Sequence, residues 1–219
     1  MNNTYKGTAT ADEGGGLDPR DAAKLLEQTK RQARRAFDIE SPVVAVVGAG
    51  VFLFGYGAAW WSLRGQHPEV PALWSLGVLY GLIAISAIVG SVVMSRATAG
   101  VSLSAEARRQ NLARSIAIGS AAVGAWVVEG ALRSLGVNFE IVYGVFGPTV
   151  PLIAIAGAAA GAFAMQQSWL QLGAAVGFIA VASLSTFFGP AGAWGLTGLG
   201  CCLVLLVYAG ALVARERRA

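Results

Sequence analysis

The sequence predicts an all-α fold: a polytopic membrane helical bundle of six transmembrane helices, preceded by an N-terminal cytoplasmic amphipathic helix. Three observations predict it. Of 219 residues, 55% are apolar and only 13% are charged, against about 25% charged in soluble domains. Six apolar runs follow one another, each near the ~20 residues that a spanning helix needs. The basic residues fall almost wholly on one side of the alternation that these runs impose.

Taken in order, residues 1–16 are polar and glycine-rich without a period, and read as a disordered tail. Residues 17–40 carry a helix signal. Asp18 can cap the first turn, Pro19 suits its start and Asp21 favours its N-terminus. Ala22, Leu25, Leu26, Thr29, Ala33 and Phe37 recur on one narrow apolar face. Lys24, Lys30, Arg31, Arg34 and Arg35 lie on the other. This pattern suits contact with an anionic membrane surface or a partner protein; the plainer reading is a solvated helix leading into the first span.

Residues 41–219 form the transmembrane domain. The expected spans are Val43 to Leu63, Leu73 to Met94, Ser115 to Leu132, Ile141 to Met165, Trp169 to Phe187 and Ala191 to Ala214. Trp60 and Trp61 suit an interfacial anchor. The polar link after the second span carries Arg96, Arg108, Arg109 and Arg114, and turns helical from Ser104. Gly189 and Pro190 mark a turn. With the N-terminus in the cytoplasm, fourteen basic residues fall inside: seven before the first span, four between the second and third, and three at the C-terminus. Arg64 and Arg133 fall outside. The positive-inside rule then places both termini in the cytoplasm of a cell membrane.

The fourth run alone holds two prolines, with Gly147, Pro148, Thr149 and Pro151 together in its first half. Proline lacks an N–H and clashes with the preceding turn, so this helix must kink or break. A break in lipid is tolerated where it is packed in protein or faces water, which makes this run the expected centre of the bundle. A kink healed by neighbouring helices is the simpler expectation. The alternative is a break that shows carbonyls to a substrate, with residues 141–149 either helical or re-entrant.

Glu129 and Arg133 are four residues apart on the third span, so they can meet on one face. A structural ion pair is the simpler expectation. The functional one is a proton or cation site, because a carboxylate at membrane depth is costly to keep. Gly-x-x-x-Gly pairs at Gly77/Gly81, Gly157/Gly161 and Gly173/Gly177 suit close helix packing, expected here inside one bundle rather than at a seam between copies.

Several chemistries are excluded or disfavoured. No G-x-x-x-x-G-K-[ST] motif is present, which excludes a P-loop nucleotidase. Val47-Gly48-Ala49-Gly50 lacks the third glycine of a dinucleotide fingerprint. One histidine, His67, supplies no metal or haem site. Adjacent Cys201 and Cys202 suit neither an ordinary disulfide nor a metal. The basic residues border apolar spans and point to membrane orientation, not nucleic acid. No catalytic residues, metal or cofactor are expected.

The stretch Asp21-Ala22-Ala23-Lys24-Leu25-Leu26-Glu27-Gln28, the glycine- and tryptophan-rich first span, and Arg96-Ala97-Thr98-Ala99-Gly100-Val101 together resemble a group of small six-pass actinobacterial membrane proteins of the transporter kind. The resemblance implies genes placed near ABC transporter subunits and winged-helix regulators, and no catalytic motif. The expected function is a small permease, or a membrane subunit energised by a separate ABC-type ATPase. In the second case the 17–40 helix or the segment around Arg108 and Arg109 would couple to the ATPase. The rival is a non-transporting scaffold or sensor. The expected partners are the lipid bilayer and either that ATPase or a second copy.

Overall fold

The computed structural model describes residues 42–64, 70–97 and 105–218. They are all-helical. In chain order they form α1 (Pro42–Val51), a π-helical segment (Phe52–Tyr56), α2 (Gly57–Leu63), α3 (Leu73–Ala97), α4 (Ala105–Ser134), a second π-helical segment (Ile141–Phe146), α5 (Gly147–Met165), α6 (Trp169–Ser185), a short 3-10 turn (Thr186–Phe188) and α7 (Gly189–Arg218). The amphipathic helix expected over 17–40, with Lys30, Arg31, Arg34 and Arg35, lies outside the described residues.

Among the described residues, five helical runs are long and apolar enough to cross a membrane: Pro42–Leu63, Leu73–Val92, Leu112–Ser134, Ile141–Met165 and Trp169–Arg215. The last run has 47 residues. As one straight helix it would be ~70 Å long, more than twice the ~30 Å hydrocarbon core. Instead it doubles back. Gly177 faces Val204 and Gly200 faces Val181, so α6 and α7 run antiparallel. Gly189 makes the reversal at φ +71, a backbone state that glycine adopts without strain.

Two helix ends show why the chain turns after α4 and after α5. At the end of α4, Gly136 N–H bonds Arg133 O and Val137 N–H bonds Leu132 O, both at 3.1 Å. That is a Schellman cap with glycine in the left-handed position. The end of α5 repeats it, with Gln167 N–H on Ala164 O and Ser168 N–H on Phe163 O. There the left-handed residue is Gln167, at φ 56. Asn138 starts the next helix, its Oδ1 accepting from the Glu140 N–H at 3.1 Å.

α7 is the hub, a correction to the expectation that the fourth run would be central. It packs against α1, both π-helical segments, α2, α5 and α6. The physical reason is where its glycines sit. A Cβ on Gly195 would lie 2.9 Å from Trp60, and one on Gly198 would lie 2.6 Å from Tyr56 and 3.2 Å from the Phe52 carbonyl oxygen. Bare backbone at these positions lets α7 approach the first run closely. In the fourth run, a Cβ on Gly157 or Gly161 would meet nothing within 4 Å. The same holds for Gly77, Gly81 and Gly173. Among the described residues Gly177 meets Val204, so the third motif serves the expected internal packing in part, while the pairs at Gly77/Gly81 and Gly157/Gly161 do not.

The helices neighbour one another in the order α4, α5, α6, α7, the first run and then α3, with the hub inside the series. α3 and α4 are the outer members: 11% and 6% of the residues in their most apolar stretches are buried, against 33% for the last run. The end of α2, the end of α4 and the 186–188 turn share one end of the bundle, since Trp60 meets Gly195 and Gly147 faces Trp194. The opposite end gathers the start of α4 and the end of α7.

Candidate functional site

The proline-bearing run is helical throughout, so residues 141–149 are not a re-entrant loop. The break takes the form of a widened turn. Gly147 N–H bonds Val142 O, five residues back, the π-helical pattern that often marks functional positions. Pro148 opens α5 and Pro151 lies inside it. Each removes one backbone donor, so the Gly144 and Gly147 carbonyls lose their usual helical partners.

Neighbours close over this point. Pro148 and Thr149 are fully buried. Thr149 Oγ1 donates to Val145 O at 2.8 Å. The Tyr56 hydroxyl, from the π-helical segment of the first run, donates to Pro148 O at 3.3 Å. The Tyr56 ring packs on Phe52 at 5.4 Å and on Trp194 at 5.3 Å. Trp194 is buried and its Nε1 has no hydrogen-bond partner. Aromatic side chains thus seal the break, the outcome expected of a kink healed by its neighbours.

Glu129 is placed differently. Arg114, Ile118, Ala121, Ala122, Ala125, Glu129 and Leu132 form the least exposed stripe of α4, at the spacing of one helix face. Glu129 therefore turns toward the bundle. Its Oε1 is buried and has no partner. Tyr80 of α3 lies within electrostatic range of it, and the Tyr80 and Trp126 rings meet edge-on at 6.3 Å.

The expected Glu129–Arg133 pair does not form. Arg133 Nη1 instead donates to the Tyr143 hydroxyl at 3.3 Å. Its guanidinium lies 5.2 Å from the Phe139 ring and 5.8 Å from the Tyr143 ring. Arg133 is in the last turn of α4, where a long side chain can reach outward past the helix end. There it gains two aromatic faces and a hydroxyl acceptor. The carboxylate one turn deeper keeps an oxygen unsatisfied, which is costly in a low-dielectric interior.

Glu129, Arg133 and the Gly147–Pro151 segment share one end of the bundle. Arg108 and Arg109 begin the same helix as Glu129, some 20 residues or ~30 Å away. Arg109 is exposed. The helix runs on from Ala105 ahead of the apolar window that starts at Leu112.

Sequence reasoning missed Tyr56, Tyr80 and Trp194. For Tyr56 and Tyr80 the available signal was an aromatic residue with a polar handle away from the ends of its run, where interfacial anchoring cannot explain it; Trp194, near the start of its run, carried no such signal. Hydroxyls elsewhere serve packing. Ser62 Oγ accepts from the Ala72 N–H at 3.2 Å and lies 3.0 Å from Ser75 Oγ. Ser185 Oγ donates to Ala182 O at 2.8 Å and lies 2.7 Å from Thr197 Oγ1. Cys201 and Cys202 are buried free thiols. Among the described residues, no group of three or more His, Cys, Asp or Glu could hold a metal ion. No protein-family model, no curated protein and no solved structure matches this chain.

Proposed function

We propose that this chain is a small six-pass permease of the cell membrane in which Glu129 binds and releases the coupling proton or cation. The observation that carries the reading is the buried Glu129 oxygen without a partner, on the inward stripe of an otherwise apolar span. An intramembrane carboxylate left unpaired costs stability and is kept for function. Six crossings follow if the α6–α7 hairpin crosses twice. Both termini are then cytoplasmic, with Arg108, Arg109, Arg114, Arg215 and Arg217 at the inner end and Arg64 and Arg133 at the outer one.

In this reading Arg133, held on Phe139 and Tyr143, stays at the outer surface. Glu129 receives its ion from that side. Alternation of access would be centred on the gap between α3 and α4, where Tyr80 and Trp126 stand. The segment of α4 ahead of Leu112, with exposed Arg109, is the element that would couple to a separate ATPase if the chain works as a transporter subunit.

The test is flux in proteoliposomes with an internal pH dye, run with sodium and potassium gradients in turn. Glu129→Gln keeps the shape and removes the charge, and should abolish flux while the protein stays monodisperse. Flux equal to the parent protein, or none from either, would end the permease reading. A scaffold role is the second reading, favoured by the sealed break at Pro148. It predicts no flux and a soluble partner that co-purifies with the intact protein.

A further inference from the structure

We propose that the groove between α6 and α7 is a binding site for an anionic phospholipid of the arginine-rich leaflet. The groove has a volume of about 430 Å³, and Trp169, Gly173, Gly177, Val204, Val207 and Tyr208 are among the residues lining it. That size is within the ~300–1,000 Å³ of ligand-sized clefts. It is present because α6 offers glycine where a side chain would otherwise fill the seam. A Cβ on Gly173 would meet nothing within 4 Å, while Gly177 is in contact with Val204. The floor is apolar and suits an acyl chain.

The rim suits a headgroup. Val204, Tyr208 and Ala211 line the groove from α7, and the same helical face continues one turn on to exposed Arg215. The Arg114 guanidinium lies 4.5 Å above the Phe163 ring and within electrostatic range of the Tyr208 phenol. Trp169, largely exposed, stands at the same end, as interfacial tryptophans do. An apolar slot that ends in cations and a tryptophan matches an acyl chain followed by a phosphate, and arginine is the side chain best shaped to hold phosphate.

A second copy is the other conceivable occupant. In one membrane it would lie in the same orientation and bring its own Arg215 and Arg217 to the same depth. Like charges at that level oppose the contact, whereas an anionic headgroup is attracted to a basic rim. This inference does not rest on the transport reading.

The experiment is native mass spectrometry of the full chain released from detergent, titrated with phosphatidylglycerol and, separately, phosphatidylcholine. The parent protein should hold one phosphatidylglycerol in preference to phosphatidylcholine. Gly173→Leu fills open space and should leave folding intact while lowering retention of both lipids. Arg215→Gln should remove the preference, by about tenfold, and still leave phosphatidylcholine able to enter. Equal retention of the two lipids by the parent protein would overturn the proposal. So would variants that match the parent, or a dimer lost in Gly173→Leu with lipid retention unchanged.

Discussion

Tyr56 and Pro148 are 92 positions apart in sequence, and the hydroxyl of one donates to the carbonyl of the other at 3.3 Å. Each residue adjoins a wide helical turn: Tyr56 ends the first π-helical segment and Pro148 follows the second. The bond ties the first run to the proline-bearing run at the point where the latter has lost backbone donors. Tyr56→Phe keeps the ring packing and removes this bond alone. It should lower stability by about 1 kcal/mol, read as an earlier unfolding midpoint in detergent. An unchanged midpoint would show that the ring, not the hydroxyl, joins the runs.

Glu129 should trade stability for function. Its unpartnered oxygen is a liability in the folded protein, so Glu129→Leu should raise stability by roughly 1–3 kcal/mol, read as a later unfolding midpoint. The same substitution should abolish flux. A destabilised Glu129→Leu protein would mean that the carboxylate has a stabilising partner after all.

The glycines of α7 and α5 should respond in opposite ways to alanine. Gly198→Ala drives a methyl against Tyr56 and the Phe52 carbonyl and should cost about 1–3 kcal/mol. Gly161→Ala points into open space and should gain roughly 0.5–1 kcal/mol, because alanine loses less backbone entropy in a helix. Parallel thermal melts of the two proteins decide the matter, and equal effects would argue against α7 as the hub.

Gln167 holds a left-handed backbone at the end of α5, where an L side chain costs about 1 kcal/mol. Gln167→Gly should recover most of that, since the Schellman bonds are made by the backbone. A melt of this variant checks it, and a loss of stability would show that the glutamine side chain holds the turn.

The closest agreement between sequence and structure is the proline-bearing run, Ile141 to Met165 in both. Apolar length and bounding polar residues define a span locally, with no reference to the rest of the chain. The helical start of α4 near Ser104 and the reversal at Gly189 were legible for the same reason: a helix period and a glycine are local signals. Pairing was not. Glu129 and Arg133 have the spacing of an ion pair on one helix, yet Arg133 found Tyr143 and Phe139 across the next link. That choice depends on where the following helix docks.

Sequence by itself determined that this chain is helical and apolar enough for a membrane, and in outline where its apolar runs fall. These are properties of composition and period, which each segment carries alone. Tertiary structure decided which helix is central, which glycines touch a neighbour and which face outward, and which buried polar atoms are left without a partner. Gly198 and Gly161 are identical in sequence terms. Only the approach of Tyr56 to one, and of nothing to the other, gives them different roles. Packing in a bilayer rests on such close approaches, because lipid tails supply no hydrophobic drive to choose between helix faces.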